Sequence, residues 1–192
     1  MTHGITSLIK KLPSYAFDIK TNLNKLFTET NSYLSQEELY SVALTIGYAL
    51  KHENILNNIR ADAKLVLEES NATACKIAAV MMAMNNCFYN FKDMNENEEI
   101  KSADSGLEMS MLQNIDVNMK LFEMSCLAVS ILNKCKYCIN IHQKKLSKKN
   151  VNANAFLEIA RIVSTLSAAV TAMNIEKLRS YDFVVREASV ND

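Results

Sequence analysis

Cys135 and Cys138, separated by Lys136 and Tyr137, are followed four residues later by His142. Cysteines three apart on a helix approach closely enough to form a reversible disulfide, and a further i to i+4 step sets the imidazole of His142 beside the Cys138 thiol. An imidazole can take the thiol proton, and the thiolate is the form that attacks peroxides and disulfides. A helix opening at Cys135 adds its unpaired amides and dipole in favour of a thiolate. The spacing predicts thiol redox chemistry, and the polar neighbours Lys134 and Lys136 argue against full burial of the pair. Cys75, Cys87 and Cys126 read as small core residues.

Competing chemistries fit less well. Cys135, Cys138 and His142 supply three zinc ligands where a structural site uses four, and His3 and His52 lie far off in sequence. Covalent haem attachment needs histidine directly after the second cysteine, where Ile139 stands. A thioredoxin fold needs a βαβ pattern, and the only proline, Pro13, is remote from the motif.

Glu123 is the one charged side chain between Leu121 and Asn133. It either faces solvent on the polar side of its helix or pairs with His142 and raises its basicity toward Cys138. Beside the cysteine pair, a carboxylate favours His142 as a general base. Tyr137 reads as a packed aromatic, and Met81, Met82 and Met84 as core or interface filler. Lys144, Lys145, Lys148 and Lys149 are accounted for by the C-terminal end of the motif helix.

The elements that position these groups are helices. Three glycines and one proline in 192 residues leave little punctuation for strands and turns, and apolar residues recur at helical spacing. The chain reads as all-α, one domain over residues 1–192. Tyr15 to Phe27 carries a first apolar face; Ser35 and Glu38 form a capping box before a helix to about Leu50. Helices follow over about Asn54 to Leu67 and Ala72 to Phe91, then a long polar loop from Lys92 to Ser105. Asp116 can cap a helix through Leu132, Cys135 opens the next, and Asn152 or Asn154 caps a helix to about Met173, with a last helix over Leu178 to Val185. A faint echo pairs the segment from Glu38 with that from Glu123, which fits a duplicated helical unit. In that register Leu50 and Glu53 stand opposite Cys135 and Cys138, so only the second half can do thiol chemistry.

Formal net charge is zero, which argues against nucleic acid. Met1 to Pro13 lacks the apolar core of a signal peptide, and the sequence reads as having no apolar run that approaches the roughly 20 residues that span a bilayer. No membrane association and a cytoplasmic location are therefore expected, and the odd cysteine count fits a reducing compartment.

Glu123, the Cys135-x-x-Cys138 pair and His142 together resemble the alkyl hydroperoxide reductase AhpD family, within the carboxymuconolactone decarboxylase-like superfamily. The resemblance extends to residues 12–23 as an opening helix, to Ala78 through Asn86 with Phe88 and Tyr89 as a central helix, and to Phe122 through Ile131 leading into the cysteines. It implies an all-helical homotrimer that acts as a lipoyl-dependent peroxidase and as a reductant of the peroxiredoxin AhpC. Carried over by position, Cys138 resembles the peroxidatic cysteine that passes through a sulfenic acid. Cys135 resembles the proton donor and resolving partner, and Glu123 and His142 the proton relay. No nucleotide or flavin motif is present, so the resemblance implies no bound cofactor and a dihydrolipoyl group on a 2-oxoacid dehydrogenase component as reductant. Tyr137 stands where some members carry histidine, and Leu112 to Lys120 lacks the family's Gly-Pro turn, which points toward disulfide reduction over direct peroxidase activity. The superfamily also contains decarboxylases and helical proteins without redox cysteines, so a redox-sensing or decarboxylase-like trimer is the alternative.

Overall fold

The computed structural model describes residues 3–29, 32–111 and 117–182. Among them lie nine α-helices, a 3-10 turn at Ser14–Ala16, and no strand. The helices are α1 (His3–Lys11), α2 (Phe17–Thr28), α3 (Gln36–Leu50), α4 (Glu53–Ala63), α5 (Glu69–Met94), α6 (Glu98–Ser102), α7 (Met119–Leu132), α8 (Lys136–Ser147) and α9 (Ala153–Asp182). The expected all-α class holds.

Helices α3, α5 and α7 pack on one another at the centre. Small polar side chains let α3 and α7 approach closely: Thr45 Oγ1 donates to Ser125 Oγ at 2.9 Å, and Ser41 Oγ lies 3.1 Å from the same oxygen. Asn86 of α5 donates to the Val129 carbonyl of α7 at 3.1 Å and accepts from Ser130 Oγ at 3.3 Å. All these groups are buried, so each pairing removes an unmet polar group as well as adding a bond. Helix α9 covers α2, α3 and α7, α4 packs on α3 and α1, and α8 lies against α7 and α5.

Several expectations change in detail. Helix α1 was not foreseen, and it depends on tertiary contact. Asp62 of α4 accepts from the backbone amides of Gly4 and Ile5, both at 2.8 Å, which caps α1 from outside its own sequence. A Cβ at Gly4 would stand 1.9 Å from the Asn58 carbonyl oxygen, so that approach requires glycine. The Ser35–Glu38 capping box is present. Helix α5 runs on to Met94, and the expected loop from Lys92 holds the short α6. Asn118 caps α7 by accepting from Lys120 and Leu121; Asp116 lies outside the described residues. Asn152 caps α9 through the Ala155 amide at 3.0 Å. The two expected C-terminal helices are one, because no breaker stands between Met173 and Leu178; Val185 lies outside the described residues.

Contrary to the sequence reading, the stretch Ala153–Leu178 is long and apolar enough to cross a membrane by length and composition alone, with mean hydropathy 1.4 in its most apolar window. Half of that window is buried within this fold. Ala155, Ile159, Ile162, Val163, Leu166 and Ala169 recur at helical spacing and face the chain's own core.

The repeated unit is visible at two turns. Lys51 after α3 and Lys134 after α7 are both left-handed, at φ 55° and 56°. The next residue in each case, His52 or Cys135, caps the following helix by accepting the amide of Ile55 or Cys138. This register sets His52 opposite Cys135, two residues from the pairing expected from the Glu38–Glu123 echo. The difference arises because Glu38 is the third residue of its helix and Glu123 the fifth.

Candidate active site

The turn between α7 and α8 places the sulfur atoms. Lys134 N–H donates to the Ile131 carbonyl at 3.1 Å and Cys135 N–H to the Ser130 carbonyl at 3.0 Å. With Lys134 left-handed, this pair of bonds is a Schellman motif, which closes the open carbonyls of α7 and reverses the chain. A lysine fills the position that favours glycine; Lys134 is exposed, and Cys135 beside it is buried. Cys135 is then the first residue before α8, and its Sγ accepts from Cys138 N–H at 3.3 Å. One turn of α8 brings Cys138 back over it. The two sulfurs are joined as a disulfide with Cα atoms 5.3 Å apart.

Both cysteines are more buried than their lysine neighbours imply. Cys135 is 0% exposed and Cys138 4%. Cys87, expected in the core with Cys75 and Cys126, is exposed instead. The Cys126 thiol is pushed well above its ordinary range by burial and then by the nearby Glu123 charge, so it stays protonated.

Glu123 is also buried, at 6% exposure, and the solvent-facing alternative is corrected. Its Oε2 lies 2.6 Å from His142 Nδ1, and its Oε1 accepts from Lys145 Nζ at 2.8 Å. Burial pushes its pKa up, but the bonds from His142 and Lys145, with their charges, outweigh this and hold it below the ordinary carboxylate value. An ionised carboxylate only accepts hydrogen bonds, so the proton of the pair sits on Nδ1. A neutral His142 therefore keeps its lone pair on Nε2, the tautomer needed in a base.

Lys145 was given no role from sequence, because the α8 terminus already accounted for it. Its position three residues beyond His142, on the same helical face, was the available signal. Tyr137 packs as expected, stacking on Tyr89 with ring centres 4.8 Å apart, although it stays 46% exposed.

A cavity of about 340 Å³ opens onto Cys138, His142 and Glu123, with Tyr137, Met109 and Asn85 in its wall. Cys135 does not border it. A larger groove of about 660 Å³, near Cys87 and Lys76, contains none of these groups. Among the described residues, no three His, Cys, Asp or Glu side chains gather as metal ligands. The arrangement can generate a thiolate at an accessible sulfur, with a second sulfur beneath it to close a disulfide.

Residues 99–176 match the Carboxymuconolactone decarboxylase family. The chain is 34% identical to the alkyl hydroperoxide reductase AhpD of Coxiella burnetii (strain RSA 493 / Nine Mile phase I) over 167 residues, covering 86% of this chain and 94% of that one. It is 33% identical to the protein of the same name from Maricaulis maris (strain MCS10) over 173 residues, covering 90% and 99%. The chain belongs to the AhpD family. A third AhpD, from Brucella canis (strain ATCC 23365 / NCTC 10854 / RM-666), is 31% identical over 170 residues. The relation thus spans nearly the whole helical domain as well as the cysteine motif.

The carboxylate also makes stability depend on pH. Glu123 has a folded pKa below its unfolded value of about 4.3, so its ionised form stabilises the fold above that pH, and the contribution is lost as pH falls through the folded value. Glu123→Gln is expected to lose about 2 kcal/mol at pH 7 by weakening two charge-assisted bonds. The gap should close as pH falls below the unfolded carboxylate value and through the lowered folded one, where wild-type Glu123 takes up its proton. Urea unfolding of both proteins across this range checks the sign; a gap that widens in acid would refute it.

Proposed function

We propose that the protein is a thiol-dependent antioxidant oxidoreductase that reduces hydroperoxides, the disulfide of the peroxiredoxin AhpC, or both. The observation that carries this reading is the placement of Cys138 at the cavity beside the Glu123–His142 pair, with Cys135 fully buried behind it. Family membership with proteins named alkyl hydroperoxide reductase AhpD supports it.

In this reading His142 Nε2 takes the Cys138 proton, and Glu123 stabilises the imidazolium that results. The thiolate attacks the terminal oxygen of a hydroperoxide; the O–O bond breaks, Cys138 becomes a sulfenic acid, and the alkoxide takes the proton from His142. The Cys135 thiol then displaces water to close the disulfide. Two thiols of a dihydrolipoyl group, carried by a 2-oxoacid dehydrogenase component, reduce it by exchange at Cys138. Cys135 leaves as a thiolate that the Cys138 amide already faces. With AhpC, the thiolate attacks the partner disulfide in place of a peroxide, and Cys135 resolves the mixed disulfide.

We also infer a homotrimer. The apolar run Ile159 to Met173 is largely consumed by the chain's own core and is not the surface that needs a partner. Val80, Met84, Phe91 and Met94 instead leave an exposed stripe along α5 at the 3.5-residue spacing of a helix seam. Sedimentation equilibrium should give three times the chain mass; a concentration-independent monomer would refute the assembly.

Substitution separates the two sulfurs. Cys138→Ser should abolish hydroperoxide consumption and partner reduction, because the remaining thiol does not border the cavity. Cys135→Ser should oxidise once and stall, giving a sulfenic acid or mixed disulfide at Cys138 by mass spectrometry. Oxidation of Cys135 ahead of Cys138 in the wild type would reverse the assignment, and full activity after alkylation of both thiols would favour the decarboxylase-like alternative.

A further inference from the structure

Two adjacent asparagines on α5 are both buried, but only one is satisfied. Asn86 uses its amide nitrogen and its carbonyl oxygen to tie α5 to α7. Asn85, 7% exposed, donates from Nδ2 to the Met109 sulfur at 3.2 Å, and its Oδ1 is buried with no hydrogen-bond partner among the described residues. A thioether has no proton to give, so Met109 fixes which end of the amide faces it, and the carbonyl is the end left unmet. Leaving a buried acceptor unpaired is costly, so such a group in a native fold calls for a partner that the protein itself does not supply.

Asn85 borders the same cavity as Cys138 and His142, and Met109 shares its wall. Met109 lies on the segment between α6 and α7, is 40% exposed, and holds Asn85 only through a weak N–H to sulfur contact. A long, unbranched side chain held this loosely can move aside for a ligand.

We propose that Asn85 is a substrate-contacting residue, whose side-chain carbonyl accepts the O–H of the hydroperoxide that Cys138 attacks, with Met109 covering the amide until the substrate enters. This rests on the peroxidase reading above. The hydroperoxide is the substrate that brings a donor on the attacked atom; a disulfide offers none. The hydrogen bond holds the terminal oxygen toward Cys138 while the O–O bond breaks. That oxygen keeps its hydrogen and becomes the sulfenic acid O–H on Cys138, still facing Asn85, while the departing alkoxide takes its proton from His142. Asn85 thereby separates hydroperoxide reduction from disulfide exchange at a shared sulfur.

The test compares wild type, Asn85→Leu and Asn85→Ala, the last too small to clash on α5. Three rates are measured: thiol loss with cumene hydroperoxide, alkylation of the reduced protein by iodoacetamide, and reduction of the oxidised protein by dihydrolipoamide. The expected result in both variants is a roughly tenfold slower reaction with the hydroperoxide. Alkylation and disulfide reduction should remain within about twofold of wild type, since neither uses the carbonyl. Wild-type rates with the hydroperoxide in both variants would overturn the assignment, as would a parallel fall in all three rates or loss of the fold in both, which would make Asn85 structural. A wild-type protein that leaves the hydroperoxide untouched overturns the peroxidase reading itself, an outcome visible before any variant is made.

Discussion

The Glu123 carboxylate is the constraint around which the second half of the chain is organised. A buried charge is stable only when its oxygens are matched, and here one oxygen meets His142 and the other Lys145, both on α8. Because Glu123 sits on α7, the two bonds fix the rotation of α8 against α7 and thereby the direction in which His142 and Cys138 point. The same bonds choose the imidazole tautomer. Removing either partner leaves part of that charge unmatched, so the placement of α8 and the proposed chemistry rest on the same interaction.

The turn at Lys134 supplies the other half of the geometry. Its left-handed backbone ends α7 and starts α8 without a linker, so the sulfur at the helix start and the sulfur one turn later lie within bonding distance. The matching turn at Lys51 is built alike, but its capping residue is His52 and the position facing Cys138 is Ile55. The two halves share a backbone solution and differ in chemistry. Both sulfurs are buried, but Cys138 borders the cavity and Cys135 does not.

The legible part of the sequence was its local part. The Ser35–Glu38 capping box, the helix start at Cys135 and the i to i+4 step to His142 are short-range features whose physics does not wait for a tertiary fold. Helix α1 was missed because its cap is Asp62, more than fifty residues away. The break expected after Met173 had no glycine or proline to cause it. In the site, Glu123 was readable as a partner of His142 but equally as a solvated residue, since only packing decides its burial. Lys145 was hidden behind a sufficient local explanation, and Asn85 carried no signal, because an unmet carbonyl is a property of its surroundings. The exposed α5 stripe was legible only as apolar content.

If Glu123 sets the basicity of His142, and His142 sets the acidity of Cys138, the most direct measurement is the pH profile of iodoacetamide alkylation for wild type and Glu123→Gln in the reduced state. Without the carboxylate charge the imidazole is a weaker base, less Cys138 is ionised at neutral pH, and the apparent thiol pKa should rise. The rate deficit of the variant should then shrink as pH increases and vanish once both thiols are fully ionised. Superimposable profiles in a folded variant would contradict the account and leave the carboxylate as a structural bridge alone.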